Sequence, residues 1–138
     1  MTARTVFALT LVLAVAVARV EASEVPAAAK NSTLSWLSLT DSGQYEESWN
    51  AAASLFQAAI SSSDWTQSLT AARTPLGQLK SRDTLSATFS RTLPGAPDGE
   101  YVVFQFSTSF QNKASAVETV TAMKDADDAW RVAGYFIK

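Results

Sequence analysis

The sequence predicts an α+β domain: three helices packed on a curved four-stranded antiparallel sheet. Three observations carry that prediction. Residues 82–138 alternate apolar and polar side chains in four successive runs, the two-residue period of strands. Turn-forming clusters separate the runs, short enough to favour an antiparallel meander. Ahead of them, from Pro26 to Gly77, apolar residues recur every three or four positions, the spacing of amphipathic helices.

The chain has room for one domain at 138 residues. With 47% hydrophobic and 17% charged residues it is globular rather than disordered. The net charge of −2 and the scattered basic residues offer no electrostatic grip for nucleic acid or anionic lipid. Cysteine and histidine are absent, which excludes disulfides, thiolate nucleophiles, imidazole bases and Cys/His zinc sites. No cofactor or metal site is expected. Any catalysis would fall to carboxylates, hydroxyls, Lys, Arg or Tyr.

Residues 1–22 read as a secretory signal peptide: Arg4 is the positive start, Val6–Ala18 the apolar run, and Val20-Glu21-Ala22 a small-residue cleavage site. Thirteen apolar residues fall short of the roughly 20 needed to span a bilayer, so no membrane association is expected after cleavage. The expected product is a single domain, residues 23–138, in the periplasm or secreted. A first helix is expected from Pro26, with an apolar stripe of Leu34, Trp36 and Leu37 and an end at Gly43. Tyr45, Trp49, Ala52, Phe56 and Ile60 predict one continuous second helix with all five on one face. Asp64 reads as the N-cap of a third, with Gln67 as its capping partner and Trp65, Leu69, Ala72 and Leu76 as its stripe. Pro75 and Gly77 end it.

The strands are placed at Asp83–Leu93, Glu100–Phe110, Ser115–Lys124 and Ala129–Lys138. Leu85, Ala87 and Phe89 form the apolar face of the first; Val102, Phe104, Phe106, Thr108 and Phe110 share one face of the second. In the third, Ala116, Glu118, Val120 and Ala122 oppose Val117, Thr119, Thr121 and Met123. In the last, Trp130, Val132, Gly134 and Phe136 oppose Arg131, Ala133, Tyr135 and Ile137.

Six stretches hold the most distinctive residues: Trp36-Leu37…Asp41-Ser42-Gly43-Gln44-Tyr45…Ser48-Trp49, Trp65…Arg73-Thr74-Pro75-Leu76-Gly77, Arg82, Leu93-Pro94-Gly95-Ala96-Pro97-Asp98-Gly99-Glu100-Tyr101, Glu118-Thr119-Val120 and Trp130-Arg131-Val132-Ala133-Gly134-Tyr135. In that order they resemble a bacterial exported family, domain of unknown function number four thousand and nineteen. The resemblance implies the nuclear transport factor two-like cone fold, with helices closing the concave side of a bent sheet, and an exported location.

Eight residues stand out as candidate ligand contacts: Trp36, Tyr45, Trp49, Trp65, Arg73, Arg82, Glu118 and Tyr135. The aromatics could line a cavity mouth, but helical spacing alone predicts them as core. Arg73 and Arg82 flank a helix exit and could hold an anion or a carboxylate of the protein itself. Glu118 is a charge in mid-strand. If it points inward, Arg82, Arg131 or Arg73 would pair with it, or it would act as a general base; the plainer reading is an exposed cross-strand ion pair. Two function classes follow. The favoured one is a non-enzymatic module that binds a small apolar or amphipathic ligand or a protein partner, with a homodimer through the open sheet as a further possibility. The other is a small lyase or isomerase with Glu118 as base and Tyr45 or Tyr135 as hydrogen-bond donor.

Overall fold

A computed structural model describes Val25–Lys138; the signal-peptide reading lies outside these residues. Helix α1 spans Ala27–Asp41, α2 Tyr45–Asn50, α3 Ser54–Ala59 and α4 Ser62–Arg73, followed by a 3-10 turn at Thr74–Leu76. The strands are β1 Leu79–Ser90, β2 Tyr101–Phe110, β3 Lys113–Lys124 and β4 Trp130–Ile137. They form one antiparallel sheet in the order β1-β2-β3-β4, the meander that the short connections predict. The fold is α+β, with the helices on one face of an open sheet. Among the described residues no helix is long and apolar enough to cross a membrane.

Among the described residues the helical layer holds four α-helices rather than three. The expected second helix is interrupted at Ala53, whose backbone is extended. The Ala53 N–H leaves the helical pattern to donate to Val132 O on β4 at 2.8 Å, and Ser54 donates from both N–H and Oγ to Asp125 at 3.0 Å. Gln57 Nε2 donates to carbonyls at the end of α2, Trp49 O at 3.0 Å and Asn50 O at 3.2 Å. Bonds to the sheet edge thus replace bonds within the helix, so local periodicity could not reveal the break. The five-residue stripe still faces inward, with Ala52 and Phe56 buried and Tyr45, Trp49 and Ile60 packed against the core.

Two other helix expectations change. Ser61, not Asp64, caps α4: its hydroxyl accepts from the Asp64 N–H at 3.1 Å, and Asp64 sits in the first turn, where the helix dipole favours a negative charge. On α1, Leu34 is exposed, while Ala29, Thr33, Trp36, Leu37 and Thr40 are buried. The end of α1 is as expected: Gly43 has φ +75°, and Gln44 N–H reaches back to Leu39 O at 2.9 Å.

The first strand begins at Leu79, four residues earlier than expected, because Leu79 pairs with Phe110 at the far end of β2. Two register breaks then matter more than any boundary. In β1, Thr84 opposes Phe106 and Ser86 opposes Gln105, so Leu85 is an extra, bulged residue. In β4, Gly134 opposes Thr121 and Val132 opposes Ala122, so Ala133 is bulged. A bulge reverses which face later side chains occupy. Hence Ala87 and Phe89 share the helix-facing side with Thr84 and Arg82 rather than with Leu85, which is exposed. Likewise Tyr135 joins Trp130 and Val132 on the inner face, and Phe136 turns outward to 61% exposure. Both departures from strict alternation are corrections to the sequence reading.

Candidate functional site

Four strands and two helices each contribute a polar side chain to one buried cluster. Thr108 comes from β2 and Glu118 from β3, on faces that alternation assigned to the inner side. Arg82 from β1 and Tyr135 from β4 reach it because of the two bulges. Asp41 and Thr40 come from the last turn of α1, Arg73 from the last turn of α4.

Glu118 is completely buried. Its Oε1 accepts from Arg82 Nε at 2.7 Å and from Thr108 Oγ1 at 2.5 Å; its Oε2 accepts from Arg82 Nη2 at 3.2 Å and from the Tyr135 hydroxyl. A carboxylate offers about four acceptor directions, and all four are used. Arg82 also forms a two-pronged pair with Asp41, Nη1 to Oδ2 at 2.8 Å and Nη2 to Oδ1 at 2.9 Å. Asp41 Oδ1 takes a further bond from Arg73 Nη2 at 2.9 Å, while Arg73 Nη1 donates to Thr40 Oγ1 at 3.1 Å. The Arg73 guanidinium lies 4.8 Å from the centre of the Phe110 ring. Two guanidiniums and two carboxylates leave the cluster neutral, which is how ionised groups become tolerable away from water.

The electrostatics follow from this arrangement. Burial opposes the charge on Arg82, but the bonds and fields of Asp41 and Glu118 outweigh it and raise its pKa above the ordinary value. Burial and then the Glu118 charge push the Tyr135 hydroxyl well above the usual tyrosine range, so it stays protonated and donates.

The expected exposed ion pair for Glu118 is therefore corrected. So is the suggested partnership with Arg131, which instead holds Asp127 through Nη1 and Nη2, both at 2.7 Å, and Asp125 at 3.3 Å. Arg82 pairs with Glu118 directly and Arg73 only by way of Asp41. The anion held between Arg73 and Arg82 is a carboxylate of the chain itself.

The aromatic candidates gather above the cluster. The Tyr135 ring centre lies 5.3 Å from that of Trp36 and 6.4 Å from that of Trp65, and Phe56 meets Trp65 edge-on at 4.8 Å. Ser48 ties them together: its carbonyl accepts from Trp36 Nε1 at 2.8 Å and its hydroxyl from Trp65 Nε1 at 2.9 Å. Trp49 Nε1 donates to Ile60 O at 2.8 Å. Trp36 and Trp65 are core; Tyr45 and Trp49 are half-buried at its rim, and among the described residues neither side chain hydrogen-bonds to the carboxylate cluster.

The sequence reading missed Asp41, Thr40 and Thr108 as members. Asp41 was masked by its place at a helix end, where an acid needs no further reason. Thr108 carried a signal, as the one polar residue on an otherwise apolar face of β2. At its outer edge the cluster meets an open groove of about 490 Å³ between α1 and β1, lined by Lys30, Leu34, Ser38, Leu79, Asp41 and Arg82 among others. Among the described residues no group of three or more His, Cys, Asp or Glu side chains is placed to hold a metal ion.

An α+β unit of helices over a four-stranded meander, locked by a conjoined Arg–carboxylate cluster, is the class of domain that this geometry defines. A family model described as a protein of unknown function, DUF4019, matches residues 32–135, and the chain belongs to that family. The match includes Asp41, Arg73, Arg82, Thr108, Glu118 and Tyr135. No curated protein matches the chain.

Proposed function

We propose that the domain is an exported, non-enzymatic binding module in which the buried cluster is a structural clasp. The observation that carries this reading is the saturation of Glu118. A general base must lie within hydrogen-bond reach of the proton it removes, and every acceptor direction of this carboxylate already faces a donor of the protein. The lyase or isomerase alternative has a buried acid and, in Tyr135, a converging donor, but it lacks a free lone pair for a substrate. Trp36, Trp65, Arg73, Arg82, Glu118 and Tyr135 then form the frame, and ligands meet the surface around it. The cone fold belongs to the same proposal, supported by a bulged antiparallel sheet with all helices on one side. Export is supported by the sequence pattern of residues 1–22, and a homodimer through the outer sheet face is compatible with its exposed Phe136.

Thermal unfolding of Glu118→Gln, paired with native mass spectrometry of parent and variant from the exported fraction, tests the reading. The expected result is a loss of about 3 kcal/mol in stability and no change in any co-purifying ligand. A variant as stable as the parent that accumulates an unconverted small molecule would return Glu118 to catalysis.

A further inference from the structure

Buried tryptophans normally give their indole N–H to a partner, and three of the four here do so within the protein: Trp36 to Ser48, Trp65 to Ser48 and Trp49 to Ile60. Trp130 differs. The residue is 91% buried, yet among the described residues its Nε1 has no hydrogen-bond partner and is not one of the fully buried unpaired atoms, which leaves the N–H open there. Trp130 lines a groove of about 540 Å³ between α1 and β4, a volume suited to a small molecule.

The helix side of this groove repeats the pattern. Most hydroxyls near the end of α1 are spent on the backbone: Ser38 on Leu34 O, Thr40 on Leu37 O and Ser42 on Ser38 O. Ser32 and Ser35, which line the groove with Asn31, make no such bonds among the described residues. Three neutral polar side chains and Trp130 therefore line one cleft, with the half-buried Leu39 as apolar surface beside them. The single charged lining residue, Arg131, is already neutralised by Asp125 and Asp127.

We propose that this groove binds a neutral, hydroxyl-rich ligand of the saccharide class, with Trp130 Nε1, Asn31, Ser32 and Ser35 as its hydrogen-bonding contacts. The proposal rests on the binding-module reading and gives it a site. A sugar hydroxyl both donates and accepts, which matches hydroxyl, amide and indole partners, and its C–H faces suit Leu39. Absence of uncompensated charge argues against an ionic ligand. An extended peptide is disfavoured because it would bind by adding to the edge of β4, and there Val132 O already accepts from Ala53 N–H.

The test is a two-dimensional ¹H–¹⁵N spectrum of the ¹⁵N-labelled protein, in which each tryptophan gives one indole signal. Trp130→Phe identifies its own signal by loss. That signal should exchange fast with water while the other three are protected. It should also shift saturably with at least one of cellotriose, maltotriose and tri-N-acetylchitotriose. Trp130→Phe and, separately, Asn31→Ala should each weaken binding about three- to tenfold; Asn31 is exposed, so that variant does not depend on core packing. Protection of all four signals, no response to any of the three sugars up to their solubility limits, or a response to trialanine amide instead would each overturn the proposal. Silence towards sugars together with a co-purifying ligand seen by native mass spectrometry would sink this site alone, leaving the binding-module reading intact.

Discussion

Two arginine–carboxylate clusters in this domain use the same chemical groups for different ends. The Arg73–Asp41–Arg82–Glu118 cluster joins two helices to β1, β2, β3 and β4, with Glu118 fully buried and Arg82 only 10% exposed. The Arg131–Asp125–Asp127 cluster lies at the β3–β4 turn, with the Arg131 side chain 32% and that of Asp127 57% exposed. Geometry does not separate them, since both contain bonds of 2.7 Å. Solvent does. Water screens the Arg131–Asp127 pair and solvates either partner left alone, and Asp125 keeps its bonds from Ser54, whereas removing one member of the inner cluster strands a charge with nothing to replace its partner. Bond length is thus a poor guide to what an ion pair contributes; the surroundings of the group left behind decide it.

The largest effect should come from Glu118→Ala, which strands Arg82 and frees Thr108 and Tyr135. A loss of about 3–5 kcal/mol is expected, and a denaturant midpoint close to the parent's would equate the two clusters. Asp41→Asn leaves Arg73 buried without a carboxylate but sits nearer to water, and about 2 kcal/mol is expected by the same measurement.

Tyr135→Phe comes next and carries a pH signature. The folded-state pKa of Tyr135 is raised, so its contribution is fully present below the unfolded tyrosine value of about 10 and is lost as pH climbs above it. The parent should therefore lose stability more steeply between about pH 10 and 11.5 than Tyr135→Phe does; parallel curves would remove the hydroxyl from the clasp.

Arg131→Gln should change the melting temperature by no more than about 2 °C, with the difference shrinking further in 1 M salt. The smallest effect concerns Asp127. Hydrogen bonds from Arg131 hold its pKa near about 2, so what it contributes is present above the ordinary aspartate range and fades as pH falls through about 2. A carboxyl titration by NMR should recover that value in the parent and a return toward about 3.9 in Arg131→Gln.

The comparison also separates what alternation can and cannot locate. Glu118 and Thr108 stood on the inner face by simple parity, because the central strands β2 and β3 pair in unbroken register from Tyr101 to Thr108 and shift only beyond it. Arg82 and Tyr135 did not, because each lies on an edge strand beyond a bulge. An extra residue there costs one rung of hydrogen bonds and leaves no mark in composition. In β4 the consequence is large: strict alternation buries Phe136 and exposes Tyr135, the reverse of what occurs. Breaking the second helix at Ala53 has a similar origin, since its cause, Val132 O, lies 79 residues along the chain.

Residue order alone determined the class of fold, the antiparallel sequence of strands, the turn positions and an aromatic helical layer, all of which depend on periodicity and on neighbours close in the chain. Only the tertiary structure decided that Glu118 is clasped rather than available, and that Trp130, alone among the tryptophans, has an indole N–H without a partner among the described residues. Both are matters of which distant donor or acceptor arrives at a given atom. That is set by strand register and helix docking, and a one-residue bulge is enough to change it.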